Sequence, residues 1–217
     1  MESHIARINM ITQQLRTGEV LNETILGLYH DIPREDFVPS KFKSFAYADL
    51  QIELPHHQRM MTPLEEASCL QALGLKGHEV VLEVGTGTGF LTALLSRLCK
   101  KVISIDYFAD FHANASTQLA KFQCKNVELL TGDASRGWVD QAPYDAIVLT
   151  GGIEALTDDH RLQVLPGGKL FAIIGRKSAM QGQIHHLNHQ GQWQYDIIFE
   201  TNIPPLIDAL KPNDFVF

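Results

Sequence analysis

The sequence predicts an α/β fold with a mostly parallel, doubly wound sheet, preceded by a helical extension and closed by a C-terminal antiparallel hairpin. Three observations carry that expectation. Between Gly77 and Gly175, short apolar runs alternate with helical patterns, the order that builds a parallel sheet with right-handed crossovers. The first run ends in the glycine-rich turn Glu83-Val84-Gly85-Thr86-Gly87-Thr88-Gly89. The tail alternates polar and apolar residues on either side of Gln190-Gly191, as a hairpin does.

Along residues 5–29, Ile5, Ile8, Leu15, Leu21, Ile25 and Leu28 recur at roughly helical spacing, with a break at Gly18 and Asn22 as N-cap of a second helix. Pro33, Pro39 and Pro55 punctuate an extended stretch. A helix follows over 64–73, with Pro63 in its first turn and Thr62 as its N-cap. The alternating part then reads as strand 80–84, helix 90–98, strand 101–106, helix 109–122, strand 126–131, strand 144–150, a short helix over 156–164 and strand 169–174. The closing hairpin pairs 183–189 with 193–200. Residues 1–76 are expected to contribute to a substrate cleft and 77–217 to form a Rossmann-like domain, the two packed as one compact unit.

The composition is that of an ordinary globular protein, 45% hydrophobic and 20% charged over 217 residues. A net charge of -7 and a pI near 5.8 argue against holding nucleic acid by phosphate neutralisation. Cys69, Cys99 and Cys124 are widely spaced, odd in number and form no CxxC pair, which suits reduced thiols in the cytoplasm. No basic stretch followed by an apolar one opens the chain, and no apolar run reaches membrane-spanning length, so no membrane partner is expected.

The turn after the first strand carries the chemistry. Its glycines let backbone approach a ligand, and the following helix offers free N–H groups. A dinucleotide fingerprint needs a third glycine where Phe90 stands. Glu83 would place a carboxylate where a pyrophosphate would be repelled but an ammonium could be paired. The cofactor that fits is S-adenosyl-L-methionine, with S-adenosyl-L-homocysteine as product. Asp106 ends the second strand, where an acid can take both ribose hydroxyls, and Gly132-Asp133 ends the third, where an Asp can accept from an adenine amino group. The expected cofactor set is Glu83, Gly85, Thr86, Gly87, Thr88, Gly89, Asp106, Tyr107, Gly132, Asp133, Ala134 and Thr150.

At this point the chain resembles the protein-L-isoaspartate O-methyltransferase family, as a divergent member, from about Met10 to Gly175. The likeness rests on Gln14-Leu15-Arg16 with Gly18, on Pro33-Arg34-Glu35-Asp36-Phe37-Val38-Pro39 against P-R-E-x-F-V-P, on Ala46-Tyr47-Ala48-Asp49 against A-Y-x-D, on the cofactor turn, Asp106 and Gly132-Asp133-Ala134, and on Leu165-Pro166-Gly167-Gly168 before the fifth strand. The resemblance implies methyl transfer from S-adenosylmethionine to the side-chain carboxylate of an isoaspartyl residue in a damaged protein or peptide. Such a step needs positioning and exclusion of water more than a general base.

The substrate side departs from the family. Its Q-T-I-S-Q-P loop is Gln58-Arg59-Met60-Met61-Thr62-Pro63 here, so Met61 stands at the serine. A thioether donates no hydrogen bond, and one buried donor is worth about 1–3 kcal/mol. Thr62 offers a neighbouring hydroxyl in competition with its capping role, and Arg59 can pair with an acidic substrate. The T-A-A segment becomes Thr150-Gly151-Gly152, and the F-V-P-L element is reduced to Ile203-Pro204-Pro205-Leu206. The catalytic candidates are therefore Arg59, Met61 and Thr62, with another acceptor or a non-catalytic cofactor-binding protein as the competing readings. No metal is expected: His185 and His189 would lie about 13 Å apart along a strand. A monomer or small homo-oligomer is expected.

Overall fold

Period-two alternation along the central strands sorts their side chains onto two faces. In the computed structural model, which describes residues 2–176, 179–188 and 190–210, Val81, Val102, Ala146, Val148, Phe171 and Ile173 point to one apolar core. Leu82, Val84, Ile103, Ile105, Ile147, Leu149, Leu170 and Ala172 point to a second. Strands buried on both faces read as near-continuous apolar runs, which is why they were legible.

Seven strands form one sheet: β3 (Val80–Val84), β4 (Lys101–Asp106), β5 (Val127–Thr131), β6 (Tyr144–Ile153), β7 (Val164–Arg176), β8 (Ala179–Leu187) and β9 (Trp193–Thr201). Their spatial order is β5-β4-β3-β6-β7-β8-β9. The first five are mutually parallel, and β8 and β9 continue antiparallel. The chain steps outward from β3 to β5 and returns to β6 on the other side of β3. The strand order thus reverses between β3 and β6, where such sheets bind ligands at the carboxyl ends of their strands. A two-stranded antiparallel ladder, β1 (Ile52–Glu53) and β2 (Arg59–Met60), precedes the sheet, too short to be read from sequence.

The helices are α1 (Glu2–Asn9), continued by a π-helical turn over Met10–Leu15, α2 (Glu23–Asp31), α3 (Pro63–Leu73), α4 (Phe90–Leu98), α5 (Ala109–Lys121) and the short α6 (Asp158–Arg161). Asn22 caps α2 by accepting from the N–H groups of Thr24 and Ile25. At α3, Thr62 and Glu65 form a reciprocal capping box and Gly74 ends the helix in the left-handed region. The N-terminal helices share the first core with the sheet, from Met10 through Leu73 to Ile203. Among the described residues no helix is long and apolar enough to cross a membrane.

Three elements differ from the sequence reading. The β6 strand runs on through Gly151 and Gly152 to Ile153, because glycines there accept a neighbouring segment rather than end the strand. The helix expected over 156–164 shrinks to α6, and β7 starts at Val164; Leu165-Pro166-Gly167-Gly168 bulges out between the pairings Tyr144↔Val164 and Ala146↔Lys169. In β8, His185 is buried against Trp193 and Tyr195, not on a solvated face, and desolvation pushes its pKa down to about 4. His189 lies outside the described residues; among those described, no group of three or more His, Cys, Asp or Glu converges as metal ligands would.

Candidate active site

A cleft opens at the carboxyl ends of β3, β4, β5 and β6, the place where open parallel sheets bind ligands. It gathers most of the predicted residues: Arg59, Met61, Gly85, Thr86, Gly87, Thr88, Asp106, Tyr107, Gly132, Asp133, Ala134 and Thr150 all line it.

The β3–α4 turn needs its glycines. Gly85, Gly87 and Gly89 have φ of 97°, 52° and 82°, a region L side chains rarely adopt. A Cβ on Gly85 would collide with Thr150 Oγ1, which lies 2.9 Å from the carbonyl oxygens of both Val84 and Gly85 and donates to them. A Cβ on Gly89 would come within 2.9 Å of Ala115 Cβ, so this glycine lets α4 pack against α5 and does not line the cleft.

Asp106 ends β4 with one oxygen accepting from Gly87 N–H at 2.8 Å and the other from Phe108 N–H at 3.0 Å. Burial raises its pKa, while those two N–H groups pull the other way. The carboxylate is thereby fixed at the cleft wall between the glycine turn and β4. Asp133 follows β5, its Oδ1 accepting from Ser135 N–H at 2.8 Å, and Trp138 packs within 3.0 Å of a Cβ placed on Gly132. Two acids at the ends of adjacent strands thus stand at the cleft wall beside the glycine turn.

Glu83 does not face this cleft. Period-two alternation sends it, with Val81, to the face covered by α4, where it is fully buried. Thr92 Oγ1 and Ser104 Oγ donate to its Oε2 at 2.5 and 2.6 Å, and Thr86 Oγ1 is 2.6 Å from Ser104 Oγ. Its Oε1 has no hydrogen-bond partner among the described residues. Burial, against the pull of those two hydroxyls, pushes its pKa up to about 8. Glu83 therefore supports the turn from beneath, with burial favouring its neutral form.

The opposite wall comes from the N-terminal segment. Leu54, Gln58, Arg59, Met60 and Met61 line it, with Glu66 of α3. Arg34, the arginine of the P-R-E-x-F-V-P segment, holds this wall together from behind. Its Nε donates to Glu66 Oε2 at 3.1 Å, its Nη1 to Ala46 O at 2.9 Å and its Nη2 to Met61 O at 2.6 Å. One buried guanidinium thus joins three segments that sequence alone treats as separate motifs. Met61 is buried and turns an apolar side chain to the cleft, with no donor at the family's serine position. Thr62 does not line the cleft; its hydroxyl accepts from Glu65 N–H at 3.2 Å as the helix cap. Arg59 is exposed, lines the cleft and makes no ion pair or side-chain hydrogen bond among the described residues.

The altered C-terminal element closes a third side. Gly152 N–H donates to Pro204 O and Leu206 N–H to Gly152 O, both at 2.9 Å, so this segment docks along the end of β6. A Cβ on Gly151 would sit 2.7 Å from Leu206 Cδ2, which accounts for Gly151 in place of the family's alanine. Ile203, Pro204, Leu206 and Ile207 then cover the cleft. Sequence reasoning passed over Leu54, Glu66, Phe108, Phe111 and Ser135, which also line it. Apolar residues and a helical glutamate carry no motif, although Phe108 and Phe111 follow Asp106 closely enough to have been suspected.

Residues 6–209 match the family described as Protein-L-isoaspartate(D-aspartate) O-methyltransferase (PCMT). The chain is 33% identical over 202 residues to protein-L-isoaspartate O-methyltransferase 2 of Pelobacter propionicus, covering 92% of this chain and 89% of that one. It is 32% identical over 203 residues to protein-L-isoaspartate O-methyltransferase of Aliivibrio fischeri, covering 93% and 96%. In fold it is similar to a solved protein-L-isoaspartate O-methyltransferase (TM-score 0.78, 24% identity, 92% of this chain and 65% of that one). A Plasmodium falciparum structure, described as a putative protein-L-isoaspartate O-methyltransferase in complex with S-adenosyl-L-homocysteine, matches with a TM-score of 0.76 at 14% identity, over 91% of this chain and 96% of that one. With a family match across nearly the whole chain and relatives above 30% identity, the chain belongs to the protein-L-isoaspartate(D-aspartate) O-methyltransferase family of S-adenosylmethionine-dependent enzymes.

Proposed function

We propose that this enzyme methylates the free carboxylate of isoaspartyl residues in proteins and peptides, and that Arg59 supplies the charged donor that its relatives take from a serine. The observation that carries the reading is a single cleft walled by the Gly85–Thr88 turn, Asp106 and Asp133 on one side and by Gln58, Arg59, Met60 and Met61 on the other. Membership of the family favours this acceptor over a different one and over a protein that only binds cofactor.

S-adenosylmethionine, when bound, supplies a methyl group on a sulfonium, open to in-line displacement by a carboxylate oxygen. The residues of the chain do the positioning. Asp106 and Asp133 are the acceptors for the ribose hydroxyls and the adenine amino group, and Gly85 and Gly87 admit the ligand close to backbone. The acceptor carboxylate is ionised at neutral pH, so no residue has to remove a proton. Arg59 can hold a carboxylate through a planar, bidentate contact stronger than that of a neutral hydroxyl. Met60, Met61, Leu54 and the Ile203–Ile207 segment exclude water around it.

A role in repairing damaged protein in the cytoplasm accords with this substrate and with three free cysteines, Cys69, Cys99 and Cys124. Residues 1–76 and 77–217 act together, since both line the cleft. The test is Arg59→Ala assayed with an isoaspartyl peptide. KM is expected to rise roughly tenfold or more, with cofactor affinity unchanged and Arg59→Lys retaining part of the effect. An unchanged KM in Arg59→Ala would remove Arg59 from the reading.

A further inference from the structure

We propose that Glu66 of α3, not Glu83, is the carboxylate that receives the ammonium group of the cofactor's amino-acid half; the proposal rests on the cofactor reading above. Strand order sets the direction of the ligand. Asp133 and Asp106 stand at the ends of β5 and β4, and β3 comes next in the sheet. A cofactor with its adenosine over β5 and β4 therefore runs its amino-acid arm past Gly85, towards the wall formed by Met61, Glu66, Phe90 and Leu91.

At that end the other candidate polar groups are engaged. Thr86 Oγ1 bonds Ser104, Thr150 Oγ1 bonds two carbonyl oxygens, and Thr88 Oγ1 donates to Met60 Sδ at 3.6 Å. Glu83 is sealed beneath α4 with Thr92 and Ser104. Glu66 is the carboxylate left at the wall. Its side chain is only 4% exposed, its Oε2 takes Arg34 Nε at 3.1 Å, and its Oε1 has no hydrogen bond among the described residues. A nearly buried carboxylate with one oxygen unpartnered, on the wall of a cleft, suits an ammonium donor. The ligand would complete a chain from Arg34 through Glu66 to the ammonium, with charge-assisted bonds at both ends. The ammonium needs such a partner, because leaving water unpaired costs far more than a single neutral hydrogen bond.

The groups around Glu66 give the arrangement a pH signature. Burial pushes Glu66 up to about 7, Arg34 pulls it down, and Glu65 raises it slightly. Tyr29, Cys69 and Glu83 also interact with it, and burial raises the pKa of each and so disfavours its anionic form, which leaves Arg34 as the charged partner of Glu66. An arriving ammonium favours the ionised form of Glu66, so a ligand bearing one must displace a proton below pH 7 and need not above it.

The experiment compares S-adenosylhomocysteine with 5′-methylthioadenosine, which keeps the adenosine and thioether but lacks the amino-acid arm, by calorimetric titration. Glu66→Gln is expected to lose about tenfold or more in affinity for S-adenosylhomocysteine and to hold methylthioadenosine within about twofold. Glu83→Gln, whatever it does to the turn it supports, should leave the ratio of the two affinities as it is in the wild type. In the wild type, the affinity ratio of the two ligands should fall as pH drops from 8 to 6, by up to about tenfold per unit below pH 7. Glu66→Gln binding S-adenosylhomocysteine normally, losing both ligands equally, or Glu83→Gln carrying the loss would each overturn the proposal. So would a ratio independent of pH in the wild type, a readout that needs no variant to fold. Wild type that binds neither ligand would overturn the cofactor reading and the proposal with it.

Discussion

Glu83→Gln should change how the stability of this enzyme depends on pH while leaving its fold intact. Glu83 is fully buried, with two hydroxyls on one oxygen and nothing on the other, and its pKa is pushed up to about 8. In the unfolded chain a glutamate titrates near ~4.3. The folded state therefore keeps a proton that the unfolded state releases, so Glu83's contribution is complete below the unfolded pKa. It is lost as pH rises towards 8. Across that window the loss approaches about 1.4 kcal/mol per pH unit, or roughly 2–3 kcal/mol between pH 5 and pH 7. Glutamine keeps a carbonyl oxygen for Thr92 and Ser104 but cannot ionise. Urea unfolding followed by Trp138 and Trp193 fluorescence at several pH values gives both curves. Wild type should lose stability relative to Glu83→Gln as pH rises, so the variant gains from pH 5 to 7.5. Parallel curves would mean that Glu83 is ionised in the folded enzyme, and that its supporting role beneath the glycine turn has been misassigned.

Further expectations follow from single contacts. Arg34→Met leaves Glu66 buried without its partner and frees the carbonyls of Ala46 and Met61, so unfolding in urea should show a loss of about 3–5 kcal/mol. Met61→Ser returns a hydroxyl donor to the cleft wall and should raise kcat/KM on an isoaspartyl peptide by up to roughly tenfold, at some cost in melting temperature from the lost apolar side chain. Asp106→Ala removes the anchor of Gly87 N–H as well as the proposed ribose acceptor; calorimetry should show cofactor affinity at least about tenfold weaker. Gly85→Ala meets both a positive φ and Thr150, so it should lose cofactor binding and stability together.

The centre of the sheet was legible because β3, β4, β6 and β7 carry long buried runs and the parallel strands end in chemistry. The bounds of β3, α4 and β4 match the sequence reading residue for residue. Strand ends carrying Asp106 and Asp133 likewise converge as the strand positions required. What could not be read depended on direction rather than identity. Glu83 occupies the expected position in the motif, yet alternation along β3 turns it away from the cleft. Glu66 carries no signal in the sequence beyond its place in the helix over 64–73, and only the packing of α3 against Arg34 and the cleft makes it polar wall. Arg34 was recognised as part of a signature, but its three acceptors lie 12, 27 and 32 residues away, distances at which no local pattern operates. The pairing of Gly151 with Leu206 was invisible for the same reason: each looked like an isolated departure, and the contact shows them as one compensated change.

The most direct test of the active-site assignment is transfer of labelled methyl from S-adenosylmethionine to a peptide containing isoaspartate and to its twin containing normal aspartate. The arrangement of Arg59 opposite Asp106 and the glycine turn predicts labelling of the isoaspartyl peptide and little or none of the twin. Equal labelling of both, or none in protein that binds the cofactor, would contradict it.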